Sequence, residues 1–278
     1  MSEKGLPAKI VLKKCASRVL GPLTADLSAG GSIRVLTYHN ITDDNVAGDA
    51  GQKGTPRGIF EEHMRYLKEN GYRTVSADAV PGLLASAGAV QKNTVCLTFD
   101  DGYRDNYTNA FPVMDRYGLH GTVFLTAAFM EDGENAGGEY LRWDEIARMR
   151  KSGLFTFGCH SFSHRNMGRL EDGELLKETK VARDILEEGI CGKINAFAYP
   201  FGWQGTFNAS VIAAVKHAGY SCAYTGVQGA NTRHTDPLML KRARVSWVDG
   251  IDEFRRILDG MYDWYSVYQG IRSIWSRP

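Results

Sequence analysis

The sequence predicts an α/β fold: a parallel sheet closed into a barrel of about seven strand–helix units, with a short helical extension in front. Three observations carry this. Short β-rich apolar runs alternate with helical patterns from Ile33 to Ser246, and such alternation implies a parallel sheet. About seven units over about 245 residues suit one barrel better than two separate sheets. Residues suited to chemistry fall directly after the strand-like runs, and a parallel barrel gathers its site at the carboxyl ends of its strands.

In order along the chain, Pro7 to Leu20 reads as an amphipathic helix, with Ile10, Val11, Leu12 and Val19 apolar between basic residues. Leu27 to Ser32 is a small-residue linker, so residues 1–32 are assigned to an extension and 33–278 to the barrel domain. Ile33–Tyr38 reads as a strand, and Gly58–Asn70 as a helix capped by Gly71. Thr94–Phe99 is a β-rich run of the kind buried on both faces. Asn106–Tyr117 is helical, interrupted by Pro112 and ended by Gly118. Then follow strand Thr122–Thr126, helix Trp143–Ser152, strand Phe155–Cys159 and a long helix, Asp172–Glu188. That helix carries Leu175, Leu176, Val181, Ile185 and Leu186 roughly on one face. Strand Ala196–Tyr199, helix Asn208–Ala218 and strands Ser221–Thr225 and Arg242–Ser246 complete the pattern.

Composition narrows the partners. Hydrophobic residues make up 43% and charged residues 23% of 278, which excludes a disordered chain. Lys+Arg 33 against Asp+Glu 32 leaves +1, so no global field draws the chain to nucleic acid. Five scattered cysteines without a C-x-x-C pair argue against a disulfide framework. There is no run of 18 apolar residues, and the longest apolar stretch before Leu27 is three residues. The expectation is a cytoplasmic protein, at most at the inner face of the membrane.

Two strand ends stand out. Asp100-Asp101-Gly102 closes one run. It reads as a common solvated turn, or as a carboxylate pair in which one acid holds a metal and the other stays free as a base. His160-Ser161-Phe162-Ser163-His164 closes another. Its histidines are two surface residues, or imidazoles spaced i,i+4 to share one cation. With Asp101 across the rim they make three protein ligands, as hydrolytic metal sites require. His39, after the first strand, has equal claims to a site role and to a structural one. His63 reads as a solvated helix face, His120 and His234 as loop residues, and His217 as a helix end suited to a cation.

Together these segments resemble the polysaccharide deacetylase family, the NodB-homology domain of carbohydrate esterase family 4. Thr98-Phe99-Asp100-Asp101-Gly102 matches the family's first motif, His160 to His164 its second, and Tyr199-Pro200-Phe201-Gly202 resembles its third. Leu36-Thr37-Tyr38-His39-Asn40-Ile41, followed by Phe60 to Met64 and Leu67, is similar to the branch acting on poly-N-acetylglucosamine. The resemblance covers roughly Ile33 to Trp247. It implies a distorted (β/α)7-type barrel and a metal-dependent hydrolase removing N-acetyl groups from an acetamido sugar, oligosaccharide or lipid-linked glycan. Asp101, His160 and His164 would bind the divalent metal: Zn2+ first, with Ni2+, Co2+ and Fe2+ open. Asp100 would be the base and the Phe201 N–H an oxyanion donor.

Two departures from the family matter. Its third motif has an arginine two residues before the proline, where this chain has Ala198; Arg242 or Arg244 is the expected substitute. Its late L-x-H histidine is also missing, which leaves His39, or Asp100 returning its proton, as the candidate acid. Tyr103, Tyr199, Trp203 and Arg242 are the expected substrate contacts, with Trp143 and Trp247 as further stacking faces. The alternatives are an allantoinase-like amidohydrolase and a metal-containing glycan-binding barrel without turnover. The aromatic tail Met261 to Arg277 suits a final helix packed on the barrel, a dimer contact or a peripheral membrane contact.

Overall fold

The computed structural model describes residues 8–25, 31–43, 54–86, 90–131 and 138–275. The strands are β1 (Ile33–Tyr38), β2 (Ile41–Thr42), β3 (Thr55–Pro56), β4 (Arg73–Val75), β5 (Thr94–Phe99), β6 (Gly121–Leu125), β7 (Phe155–Cys159), β8 (Ala196–Ala198), β9 (Cys222–Tyr224), β10 (Ala230–Asn231) and β11 (Ala243–Arg244). The helices are α1 (Ala8–Ala25), α2 (Arg57–Glu69), α3 (Val80–Ala85), α4 (Phe111–Tyr117), α5 (Ala127–Glu131), α6 (Trp143–Lys151), α7 (Asp172–Leu176), α8 (Ala182–Ile190), α9 (Ala209–His217), α10 (Ile251–Leu258) and α11 (Tyr265–Trp275).

The main sheet runs β10-β1-β5-β6-β7-β8-β9, with β11 on β1 and β4 on β5. All its pairs are parallel except β1 with β10. Residues 240–244 span the gap between β9 and β1. Leu240 bridges to Tyr224, and Ala243–Arg244 pair with Leu36–Thr37. The result is a single curled, distorted α/β barrel.

Side chains alternate along each strand, and two apolar clusters record the alternation. Leu36, Leu97, Phe99, Val123, Leu125 and Phe197 pack outward under Phe60, Met64, Met114, Leu186 and Val211 of the helices. Val35, Cys96, Phe124, Ala198 and Tyr224 fill the interior of the curl. Continuing that inner parity past the strand ends reaches His39, Asp100, His160 and Pro200. This is why chemistry collects at one rim.

Several expectations are corrected. Pro112 does not interrupt its helix. Asn106–Ala110 form a π-turn, and Pro112 sits in the first turn of α4, where its missing N–H costs nothing. Asp172–Glu188 extends to Ile190 and contains a second π-turn, Lys177–Val181. The inserted residue rotates the face. Leu175 and Leu186 are buried, but Leu176 is 59% and Val181 40% exposed.

In α1 the polar side faces inward. Lys14 donates to Val248 O at 2.9 Å and pairs with Asp249 at 3.6 Å, while Leu12 is 72% and Val19 74% exposed. His63 is not solvated. It is fully buried, stacked on Phe254 at 4.0 Å and 3.1 Å from the Tyr38 hydroxyl. Strand β4 and helix α10 lacked a sequence expectation. Most of the expected linker and Arg277 lie outside the described residues. The aromatic tail becomes α11, docked on the barrel by Gln269. Its amide accepts from Gln228 N at 2.9 Å and donates to Gly226 O at 3.0 Å. No helix among the described residues is long and apolar enough to cross a membrane.

Candidate active site

The rim residues line one cavity of about 930 Å³. At its floor, Asp101 Oδ1 lies 3.6 Å from His160 Nε2 and 3.4 Å from His164 Nε2. The three ligand atoms lie within 4.8 Å of one another. Asp101 Oδ1 is buried with no hydrogen-bond partner. A buried carboxylate oxygen in that state is costly unless something positive meets it. Burial holds both imidazoles below the ordinary histidine range against the pull of Asp100, so both are neutral and able to ligate. The donor set fits a divalent cation.

The backbone is shaped for this convergence. Asp101, Ser161, His164 and Phe201 all adopt positive φ without being glycine (75°, 70°, 54° and 61°). Such strain clusters where surroundings over-determine a site. Gly202 must be glycine: at φ 67° a Cβ would come 2.3 Å from Gly226 N. The His160 ring is set by Nδ1, 2.7 Å from Ala198 O. Donating there leaves Nε2 with its lone pair toward Asp101.

The loop of the second motif is held by Glu178, a residue the sequence reading did not single out. Its carboxylate accepts from Phe162 N at 3.0 Å, Ser163 N at 2.9 Å and the Ser163 hydroxyl. Glu178 sits in the second π-turn, which turns it inward where it is almost fully buried. An acid amid a charged helical stretch gives no sequence signal of such a role.

Asp100, whose Oδ2 lies 3.9 Å from His160 Nε2, is engaged instead by a guanidinium. Arg242 grips it at both oxygens, at 2.6 and 2.8 Å, and is itself fixed by Thr225 O at 3.0 Å. Burial raises the Asp100 pKa, but Arg242, His160 and His39 outweigh it and hold the carboxyl far below its usual range. Arg242, expected among the substrate contacts, is thus committed to Asp100. It supplies the guanidinium that the family motif places where this chain has Ala198. Arg244 also lines the cavity, and its side chain makes no hydrogen bond or ion pair among the described residues.

Other expected residues divide. His39, Trp203 and Trp247 line the cavity. Burial pushes His39 down to about 4, with Asp100 pulling the other way. Phe201 packs its ring 4.8 Å from His164, and its N–H donates to no group among the described residues. Tyr103 does not reach the cavity; it is 5% exposed and stacks on Tyr140 at 5.4 Å. Tyr199 stacks on Phe207 at 4.5 Å and donates to Leu238 O at 3.0 Å. Trp143 packs beneath Gly189 of α8. All three are taken up in packing and do not line the cavity.

The polysaccharide deacetylase family model matches residues 87–223. Within these residues the chain matches a polysaccharide deacetylase domain of the NodB-homology, carbohydrate esterase family 4 type. YxkH of Bacillus subtilis (strain 168), named for the same family, is 27% identical over 213 residues, 76% of this chain and 71% of that one. The poly-β-1,6-N-acetyl-D-glucosamine N-deacetylase of Staphylococcus aureus (strain MRSA252) is 21% identical over 73% of this chain and 71% of its own. Among solved structures, the deacetylase PplD of Streptococcus pyogenes superposes with a TM-score of 0.74 at 21% identity. It covers 83% of this chain and 99% of that one. IcaB of Ammonifex degensii gives 0.69 at 22%, covering 84% and 98%. These two likenesses establish the fold.

Proposed function

We propose that the protein hydrolyses the N-acetyl amide of an acetamido sugar within a glycan, releasing acetate and leaving a free amine. A divalent cation, zinc first among several that suit the donor set, would be held by Asp101, His160 and His164. The observation that carries this is the partnerless Asp101 Oδ1 facing two neutral imidazoles, with a second carboxylate held off by Arg242.

A divalent cation, held by Asp101, His160 and His164, would supply Lewis acidity toward the acetyl carbonyl and a neighbouring water. Asp100, ionised and fixed by Arg242, accepts the proton of the attacking water. The Phe201 N–H faces the oxyanion that develops. The leaving nitrogen needs a proton. His39, on the cavity wall and within electrostatic reach of Asp100, relays one from Asp100 once that carboxyl is protonated. Trp203, half exposed on the lip, offers a flat face to a pyranose ring. The guanidinium of Arg242 beside Asp100 removes one of the two departures that alone favour a barrel without turnover.

The test is acetate release from N-acetylglucosamine oligomers by protein reconstituted with zinc. Release should stop with chelator and return with metal. His160→Ala should lose stoichiometric metal. Asp100→Asn should keep metal and lose roughly 10²–10⁴ in kcat, the usual worth of a general base. Release that ignores chelator, or full metal uptake by His160→Ala, would overturn the reading.

A further inference from the structure

The charges around the cavity do not balance residue by residue. Four cationic side chains and three carboxylates line it. Arg242 is taken by Asp100 and Lys14 by Asp249. Asp101 belongs to the metal trio. That leaves Lys13 and Arg244, both on the lining and neither hydrogen-bonded nor ion-paired through its side chain among the described residues.

Their placement is specific. Arg244 is the last residue of β11 and pairs with Thr37, two positions before His39. It acts electrostatically on His39, on Asp101 and on Lys13. Lys13 comes from α1 and lies over the Tyr262 and Tyr265 rings, 5.1 and 4.5 Å from their centroids. Burial lowers its pKa, with Asp249 partly restoring it. Two like charges brought together in a cavity repel, and holding them there is costly unless an anion joins them. A neutral acetamido glycan offers them hydroxyl and carbonyl acceptors but no counter-charge. A guanidinium fork and an ammonium on the wall of one cavity are a common way to hold a phosphate.

We propose that Arg244 and Lys13 form an anion subsite beside the metal ligands, which takes a phosphate ester carried by the acetamido sugar within one ring of its N-acetyl group. This deepens the deacetylase reading and rests on it. The substrate class becomes a phosphorylated or phosphodiester-linked acetamido sugar rather than a neutral polymer. The extension and the barrel then share the work, since Lys13 lies in α1 and Arg244 in β11.

The test uses the products, which are not turned over. Zinc-loaded protein is titrated calorimetrically with glucosamine 1-phosphate, glucosamine 6-phosphate, glucosamine and inorganic phosphate. At least one sugar phosphate should bind at least about tenfold tighter than glucosamine and than inorganic phosphate. Arg244→Gln and Lys13→Met should each reduce that preference by about tenfold, and Arg244→Lys should retain part of it. Thermal melts confirm that each variant is folded. No preference for either sugar phosphate overturns the subsite. So does a preference that both substitutions leave intact, which would mean phosphate ligating the metal. Inorganic phosphate binding as tightly as the sugar phosphates means free-anion binding only and also overturns it. Acetate release by the unaltered protein from neutral N-acetylglucosamine oligomers is measured in parallel. Release without a phosphate preference sinks the subsite alone; a preference without release from any acetamido sugar, neutral or phosphorylated, sinks the deacetylase reading alone.

Discussion

At the scale of single residues, the division of labour between Asp100 and Asp101 follows from their partners. The two carboxylates are adjacent in sequence. Only Asp100 meets a guanidinium, and only Asp101 is left with a bare oxygen toward two imidazoles. Arg242→Met should therefore do more than remove a contact. It strands a buried carboxylate, at a cost of about 3–5 kcal/mol of stability in chemical denaturation. It also releases the Asp100 pKa upward, since only the smaller pull of His160 and His39 then opposes burial. The acid limb of kcat/KM should move to higher pH in the variant. A limb that does not move would show that Asp100 titrates independently of Arg242.

At the scale of elements, the second π-turn matters more than its length suggests. One extra residue within Lys177–Val181 brings Glu178 beneath the His160–His164 loop and turns Leu176 and Val181 outward. Glu178 satisfies two backbone N–H groups of that loop. Glu178→Ala should lower metal affinity by about 10–100-fold, the usual effect of removing a group that orients ligands. Competition with a chromophoric chelator measures this. Unchanged affinity would mean that the loop holds its shape alone. Gly202→Ala should cost kcat as well as stability, because the new Cβ and the positive φ both disturb the turn carrying the Phe201 N–H.

At the scale of the whole molecule, His63 ties three elements together. It lies on α2, stacks on Phe254 of α10 and meets the hydroxyl of Tyr38 at the end of β1. Burial lowers its pKa from 6.5 to about 4, with a backbone hydrogen bond involving Asp249 acting the other way. The unfolded chain therefore binds a proton that the folded chain refuses between these values. The stability that His63 contributes is full above pH 6.5 and is lost as pH falls toward 4. The loss is on the order of 3 kcal/mol at most. His39 is shifted in the same window. Replacing His63 with Gln should flatten the fall in Tm between pH 6.5 and 4, and an identical slope in the variant would contradict this assignment.

Much of the molecule was legible in its amino acids. The runs ending at Phe99 and Cys159 are β-rich over five or six residues, and their inner-face parity leads directly to Asp100 and His160. Such periodicity is local, so it survives in a bare sequence. Short elements such as β4 carry too few residues to show a period. The inward side of α1 is not legible locally, because Lys14 finds Val248 and Asp249, more than 230 residues away.

What the sequence by itself determined was the succession of the main strands and helices and the strand ends that bear acid and imidazole, with Asp101, His160 and His164 as candidate ligands. Only the tertiary structure decided that Arg242 rather than Arg244 grips Asp100, 142 positions earlier. It also decided that Tyr103 and Tyr199 turn into packing, and that a π-turn supplies Glu178. The physical reason is that such partners are chosen by closure of the sheet. Residues 240–244 reach Asp100 only because they hydrogen-bond to β9 at one end and β1 at the other, and no spacing along the chain encodes that meeting.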